Sequence, residues 1–135
     1  AYSTDDQGDE HIIQFGPEGW IISDLYSFLT NEPAVYNIDA IEDSELVLIS
    51  KSAHEELLLK VPQYETFTRL NITNAYLAMQ KRITSIISSS LEERYAKFLE
   101  LHPDIVQRIP QHMIASYMGL SPETLSRVRR RAFSK

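Results

Sequence analysis

Four side chains near the C-terminus have the chemistry needed to read DNA bases. They stand at spacings of three, one and three residues, which a helix would place on one face: Glu123, Ser126, Arg127 and Arg130. Arginine can donate two hydrogen bonds to guanine O6 and N7, glutamate can accept one from cytosine N4, and serine adapts to several bases. The set therefore predicts a helix face that reads base edges in the major groove.

Neighbouring polar and basic side chains are placed to hold the DNA backbone. Arg129 and Arg131 fall on the flanks of the same predicted helix, where phosphate contacts fix orientation without reading sequence. The last fifteen residues carry five basic side chains against a single acidic one, a local net charge of +4. The expected backbone contacts are Ser121, Thr124, Arg129, Arg131 and His112.

The surrounding residues predict two helices that meet at a sharp corner. Such a corner needs a small residue at the crossing and a turn residue that tolerates positive φ, which Ala115 and Gly119 supply. Ser121 and Pro122 match a helix N-cap followed by a proline in the first turn. The apolar residues expected to close the corner are Ile114, Met118, Leu120, Leu125, Val128 and Ala132. We predict a helix-turn-helix; the alternative is a helical hairpin that never binds DNA, whose arginines only complement the helix dipole.

Charge is divided unevenly along the chain, and the division favours two different tasks. The 135 residues carry 13 Lys and Arg against 19 Asp and Glu, a net charge of −6. Residues 1–60 hold 13 acidic and two basic side chains, net −11, whereas residues 61–135 hold six acidic and eleven basic ones, net +5. A basic end on an acidic chain predicts a surface that binds phosphate.

Hydrophobic periodicity predicts a β-rich N-terminal half. Short apolar runs bounded by turn residues are typical of antiparallel strands. The predicted strands are residues 11–15, 20–22, 35–41 and 45–49, with turns at residues 5–8 and 16–19 and a short helical insert near residues 24–29.

A long helix is predicted after this half. Residues 62–88 contain no internal glycine or proline, so a helix about 40 Å long is allowed. Apolar residues recur in it at spacings of four, three, four and three, as in a heptad seam: Ile72, Tyr76, Met79, Ile83 and Ile86. We expect this row to pair two copies of the chain; the alternative is a helix packed on its own core.

These parts, in this order, resemble the Crp/Fnr superfamily of bacterial transcription regulators. The segments QFGPEGWIISDL at residues 14–25 and EERYAKFL at residues 92–99 are most similar to a Bacteroidetes-type subgroup. The resemblance implies an α+β fold: the C-terminal portion of an antiparallel, cyclic-nucleotide-binding-like β-roll (1–60), a long dimerisation helix (61–90) and an all-α, winged helix-turn-helix domain (91–135). It also implies that the chain is truncated at its N-terminus and begins inside the roll.

The resemblance further implies partners and an effector site. A homodimer formed through residues 62–88 would regulate transcription by binding a pseudo-palindromic site in double-stranded DNA. RNA polymerase is a further candidate partner. The implied effector pocket comprises Trp20, Asp24, Ala34, Val35, Tyr36 and Met79, and the alternative role of its large side chains is to fill the core.

The nucleotide that activates some members of this family is not expected to bind here. Cyclic-AMP-binding members carry Gly-Glu-Leu in the phosphate cassette and Arg-Ser nine residues after that leucine. Here the two positions read Ser23-Asp24-Leu25 and Ala34-Val35, and no arginine precedes Arg69. A cyclic phosphate would meet a segment of net charge −11 without a cationic partner. We expect no cyclic AMP binding, and the identity of any other effector stays open.

Other kinds of chemistry are not predicted. The four histidines are scattered, so we expect no metal site, and no nucleophile, base and oxyanion donors are grouped as an enzyme requires. The absence of cysteine excludes a disulfide framework and a thiolate metal site in this chain. With no apolar run long enough to span a membrane, we expect a cytoplasmic protein without membrane contact. The alternative function is a ligand-sensing or protein-interaction module whose helix-turn-helix does not bind DNA.

Overall fold

Helices dominate the protein, whose structure is a computed structural model that describes residues 1–132. In chain order its elements are β1 (Tyr2–Thr4), β2 (Glu10–Ile12), α1 (Leu25–Thr30), α2 (Lys51–Lys60), α3 (Pro62–Ser88), α4 (Leu91–Leu101), α5 (Pro103–Arg108), α6 (Gln111–Met118) and α7 (Pro122–Ala132). Lys135, one of the five basic residues counted near the C-terminus, lies outside the described residues. Contacts divide the chain into two units, one that joins residues 1–44 to the segment beginning at residue 91 and one of residues 45–90.

The core of the first unit lies among α4, α6 and α7. Tyr95, Ile114 and Leu125 are buried almost completely, one from each helix. The other members of this cluster are Phe98, Ala115, Met118 and Val128. Within a helix the members of the cluster stand three or four residues apart, except for the adjacent Ile114 and Ala115, and this period gives a helix one apolar side. Burying a side chain of this size contributes about 1.5–3 kcal/mol, so a few such contacts decide how the three helices pack.

A short hairpin packs against α6 in the same unit. Strands β1 and β2 pair antiparallel, with Tyr2 opposite Ile12. The Asp5 carboxylate closes the turn, because its Oδ1 accepts hydrogen bonds from the backbone amides of Gln7 and Asp9 at 2.9 and 3.0 Å. On the outer edge of β2, the hydroxyl of Ser116 accepts from the Ile12 amide at 2.9 Å and donates to the Glu10 carbonyl at 3.0 Å. A side chain of α6 thus satisfies the polar groups that a third strand would bond.

The irregular segments of the first unit are attached to α5 and α6 by side chains. The Phe15 ring lies 5.3 Å from that of Tyr117 in α6, measured between ring centroids. At the end of α5, Arg108 donates to both Glu18 oxygens, with a shortest distance of 2.8 Å, and to both Glu42 oxygens, with a shortest distance of 2.6 Å. One guanidinium therefore links two loops to the same helix end.

The second unit consists of α2 and α3. Helix α2 begins after Ser50, whose hydroxyl accepts from the Ala53 amide at 3.2 Å. His54 Nδ1 lies 2.7 Å from the Tyr64 hydroxyl and joins the two helices. Helix α3 spans the 27 residues that the lack of internal glycine and proline allows, and none of its residues is buried. Neither α3 nor any other helix within residues 1–132 is both long enough and apolar enough to cross a membrane.

The predicted fold class is wrong. About 60% of the chain is helical, and the sheet of the described residues has only two strands, so there is no β-roll with a helix-turn-helix domain after it. Of the predicted strand at residues 11–15, only residues 11 and 12 belong to the sheet. Residues 35–41 contribute one bridge, between Tyr2 and Asn37, and residues 20–22 and 45–49 form none. A strand is stable only when a neighbouring strand completes its hydrogen bonds, and alternating apolar residues do not supply that neighbour.

The N-terminal residues pack with the C-terminal helices. Residues 1–44 share a unit with α4 to α7, in place of forming a separate roll. Their apolar side chains stay largely at the surface: Trp20 is 58% exposed and Val35 is 65% exposed. The assignment of separate functions to residues 1–60, 61–90 and 91–135 stays a prediction, because packing in one unit does not show which residues act together in a function.

We expect the Arg108 link to weaken in acid. Its hydrogen bonds lower the pKa of Glu18 from an ordinary value of 4.5 to about 2, and they lower the pKa of Glu42 as well. A carboxylate whose pKa is lower in the folded than in the unfolded state stabilises the fold above pH 4.5, and this stabilisation is lost as the pH falls towards 2. Urea unfolding at a series of pH values should therefore show a smaller acid-dependent loss of stability for Arg108→Gln than for the unchanged chain.

The control for this experiment is Lys97→Gln, which removes a cation whose partner Glu100 lies on the same helix. It should keep the pH dependence of the unchanged chain. Equal pH dependence of the Arg108 variant and the unchanged chain would contradict the prediction.

Candidate nucleic-acid interface

The start of α7 is fixed by local hydrogen bonds. The Ser121 hydroxyl accepts from the Thr124 amide at 3.2 Å and donates to the Thr124 hydroxyl at 3.1 Å. Pro122 takes the first helical position, where no amide donor is needed. The pKa of Glu123 is lowered, first by a hydrogen bond from its own backbone amide, then by the Ser121 hydroxyl, with a smaller effect from the charge of Arg127. The helix therefore starts at a defined residue and carries a carboxylate at its positive end.

A left-handed turn joins α6 to α7. Gly119 has φ 69° and ψ 36°, and its amide donates to the Ser116 carbonyl at 2.9 Å. The next amide, that of Leu120, donates to the Ala115 carbonyl at 2.9 Å, and these two bonds form a Schellman motif. From α4, Arg94 Nη2 donates to the Met118 carbonyl at 2.9 Å. The turn is thus held both by its own backbone and by a side chain of a neighbouring helix.

The two sides of α7 have opposite character. Leu125 and Val128 are 1% and 2% exposed, because they contact the core cluster. The opposite side bounds a shallow, open depression whose residues are Pro122, Glu123, Ser126, Arg127 and Arg130. The structure therefore brings together all four side chains that the sequence assigns to base reading. Their role in binding DNA stays a prediction.

The residues assigned to the DNA backbone lie at the margins of this surface, and several are already bonded within the chain. Arg129 Nη1 donates to Gln111 Oε1 of α6 at 3.0 Å, and Arg131 Nη1 lies 3.4 Å from Glu92 Oε1 of α4. Thr124 accepts from Arg127 Nη2 at 3.0 Å and also bonds to Ser121, as described above. The remaining member of the set, His112, is exposed in the first turn of α6 beside Gln111. The two flanking arginines therefore point towards α6 and α4.

The role of the implied effector pocket in binding a ligand stays a prediction, but the contacts of its residues within the chain can be described. Asp24 Oδ1 caps α1 by accepting from the Ser27 amide at 3.1 Å, and Oδ2 accepts from the amides of Val35 and Tyr36 at 2.9 and 3.2 Å. These bonds, with that of Ser27 the largest, lower the pKa of the carboxyl group. Ala34 and Trp20 are exposed, while Met79 lies in α3 of the other unit. In the first unit Asp24 thus holds a loop in place.

The predicted dimer row is present as a continuous apolar strip on α3. Its exposed fractions are 43% for Ile72, 59% for Tyr76, 61% for Met79, 53% for Ile83 and 51% for Ile86. Side chains at these spacings line one side of a helix. Within the described structure this strip faces solvent.

The sequence did not predict two contacts of the candidate interface. Arg94 and Glu92 reach α6 and α7 from α4, across 24 and 39 residues of sequence. A cation near the C-terminal carbonyls of a helix is a favourable pairing, but only the tertiary structure shows which helix it meets. Within residues 1–132, no group of three or more histidine and carboxylate side chains is arranged to hold a metal ion.

Comparison with protein-family models, with curated proteins and with solved structures finds no match to this chain. The resemblance to the Crp/Fnr superfamily therefore stays a prediction from the quoted segments, and a function has to be argued from the geometry of the interface.

We expect Gly119→Ala to destabilise the fold by about 1–2 kcal/mol, the cost of a left-handed conformation for a residue with a Cβ. The open space around Gly119 makes this a backbone effect, since an added Cβ would meet no atom within 4 Å. Urea unfolding measures the loss. Gly119→Asn is the matched control, and it should lose less stability because asparagine tolerates this conformation. An alanine variant as stable as the asparagine variant would contradict the prediction.

Proposed function

We propose that this protein is a sequence-specific DNA-binding transcription regulator that acts as a homodimer. The observation that carries the proposal is the exposed side of α7, where the side chains assigned to base reading line one shallow depression while the opposite side of the helix is buried. An α-helix fits the major groove of B-DNA, which is about 12 Å wide. The proposed function rests on this surface and not on a family assignment.

Base reading would fall to the residues at the centre of this surface. Arg127 and Arg130 offer the paired donors that guanine accepts, and Glu123 offers an acceptor for cytosine N4. Glu123 has the ordinary charge of a glutamate at neutral pH, and its lowered pKa favours the ionised form further, so that it acts only as an acceptor. Ser126 adds a hydroxyl that adapts to either role.

Phosphate contacts would surround the base contacts. Ser121 lies at the N-terminal end of α7, which favours anions, and Arg129 and Arg131 lie on the flanks. His112 would reach the backbone from the first turn of α6. Because each such contact releases a counterion from DNA, affinity should fall steeply with salt concentration.

A second copy of the chain would occupy the apolar strip of α3. Heptad spacing is the pattern by which two long helices pack side by side, and side chains that are about half exposed in one chain would be covered by the other. A two-fold dimer would present two α7 helices to half-sites about 34 Å apart on a pseudo-palindromic duplex. RNA polymerase stays a candidate partner of the bound dimer.

The proposal includes no enzymatic activity and no cyclic AMP response, and it places the protein in the cytoplasm. The absence of a cyclic AMP response is supported by Asp24. Its carboxylate accepts hydrogen bonds from three backbone amides, and it stands in a segment without an arginine. A ligand-sensing or protein-interaction module that does not bind DNA is the competing outcome of the following test.

We expect DNA selected from a random pool by the full chain to bind with an affinity that falls linearly with salt on logarithmic axes. Arg127→Ala should lose about 1–3 kcal/mol of affinity for the selected sequence and discriminate less well against altered bases. Fluorescence anisotropy over a salt series measures both effects. Lys97→Ala, which removes one positive charge from an exposed position of α4, is the control and should retain specificity. No enrichment of any sequence and no salt-dependent binding would contradict the proposal.

We also expect Ile83→Glu to convert the dimer to monomers, because it would place two carboxylates in the paired apolar strip. Sedimentation velocity measures the change, and affinity for a two-half-site duplex should fall with it. Asn74→Glu adds the same charge to an exposed position of α3 outside the strip and should remain dimeric. Identical association states of the two variants would contradict the assigned interface.

A further inference from the structure

Arg131 of α7 is paired with a carboxylate of its own chain. Its Nη1 lies 3.4 Å from Oε1 of Glu92, which stands in the first turn of α4. The arginine side chain is 75% exposed, and the glutamate side chain is 34% exposed. Because Tyr95 of α4 and Leu125 and Val128 of α7 share the core cluster, the two helix backbones are fixed, and the pair forms without rearrangement.

We propose that Glu92 is an internal counter-ion that competes with a DNA phosphate for Arg131 and so lowers the affinity of the interface for DNA. This inference rests on the proposed function. A guanidinium binds carboxylate and phosphate through the same fork of donors, so full engagement with one displaces the other. Glu92 therefore lowers affinity for every duplex, specific or not, by keeping Arg131 occupied until a phosphate replaces it.

The neighbouring arginine shows why the charge of Glu92 matters. Arg129 donates to the neutral amide oxygen of Gln111 at 3.0 Å. When a DNA phosphate binds Arg129, the group that loses its partner is the uncharged amide of Gln111. When a phosphate binds Arg131, the carboxylate of Glu92 loses its cation. The cost of releasing Arg131 is modest, because exposed ion pairs contribute little, but it acts in both protomers of a dimer.

The competition predicts a distinct salt dependence. A phosphate contact releases counterions from DNA, but a carboxylate freed at the same time attracts a cation from solution, and the two effects partly cancel. Without the carboxylate, the plot of log affinity against log salt should become steeper, by at most about 0.9 for each restored phosphate contact. Loss of a merely structural contact would not steepen this plot.

The test is a double-mutant cycle on the full chain. Binding of a short random-sequence duplex is measured by fluorescence anisotropy over a salt series for the unchanged protein, Glu92→Gln, Arg131→Ala and the double variant. Glu100→Gln is the matched control, since it removes a carboxylate from the same helix, where the partner is Lys97. Thermal unfolding of each variant verifies that it is folded.

We expect Glu92→Gln to raise affinity about two- to five-fold, the range that exposed ion pairs support, and to steepen the salt plot. In the Arg131→Ala background, Glu92→Gln should change neither the affinity nor the slope of the salt plot. Glu100→Gln should change both much less than Glu92→Gln does in the unchanged chain. An equal gain in both backgrounds, or a gain equal to that of Glu100→Gln, would show a general charge effect and overturn the inference. A loss of affinity in Glu92→Gln would overturn it too. If none of the proteins binds DNA at low salt, the proposed function fails and the inference with it, an outcome distinct from binding without coupling.

Discussion

The core cluster to which Tyr95, Ile114 and Leu125 belong decides which surface α4, α6 and α7 present to solvent. Each of these side chains comes from a different helix, and each loses almost all its exposure. Because an α-helix has one apolar side, burying Leu125 turns the opposite side of α7, with Glu123 and Arg127, outwards. Three local features then keep this orientation: the turn at Gly119, the cap at Ser121 and the hydrogen bond from Arg94. The candidate interface is therefore a consequence of the core, and no separate device is needed to expose it.

Local sequence signals predicted the structure well where it depends on residues that are neighbours along the chain. The ends of α3, the left-handed turn at Gly119 and the cap at Ser121 are each set by a few adjacent residues, and the structure has them where they were expected. The buried side of α7 follows from spacing in the same way. These features describe where side chains lie; the DNA contacts assigned to them stay predictions.

The sequence patterns did not predict contacts between residues that are distant along the chain. Residues 45–49 have the composition of a strand, but a strand also needs a partner, and periodicity says nothing about one. The carboxylate of Asp24, whose place in a ligand pocket stays a prediction from resemblance, accepts amides as far away as Tyr36, and the sequence did not reveal this contact. Glu18 and Glu42 of the acidic N-terminal segment converge on Arg108 at the end of α5, and the charge pattern of the sequence did not reveal this contact. In each case the deciding contact joins residues that are distant in sequence.

The bond pattern of Ser116 has a consequence for self-association. An open strand edge can template the growth of intermolecular sheet, and small proteins commonly protect such edges with charge or cover. Here one hydroxyl occupies both the outward amide of Ile12 and the outward carbonyl of Glu10. The hairpin therefore offers no free pair of groups at this point to an incoming strand from another molecule. Ser116 of α6, close to the turn that leads into α7, thus also covers an edge of the two-stranded sheet.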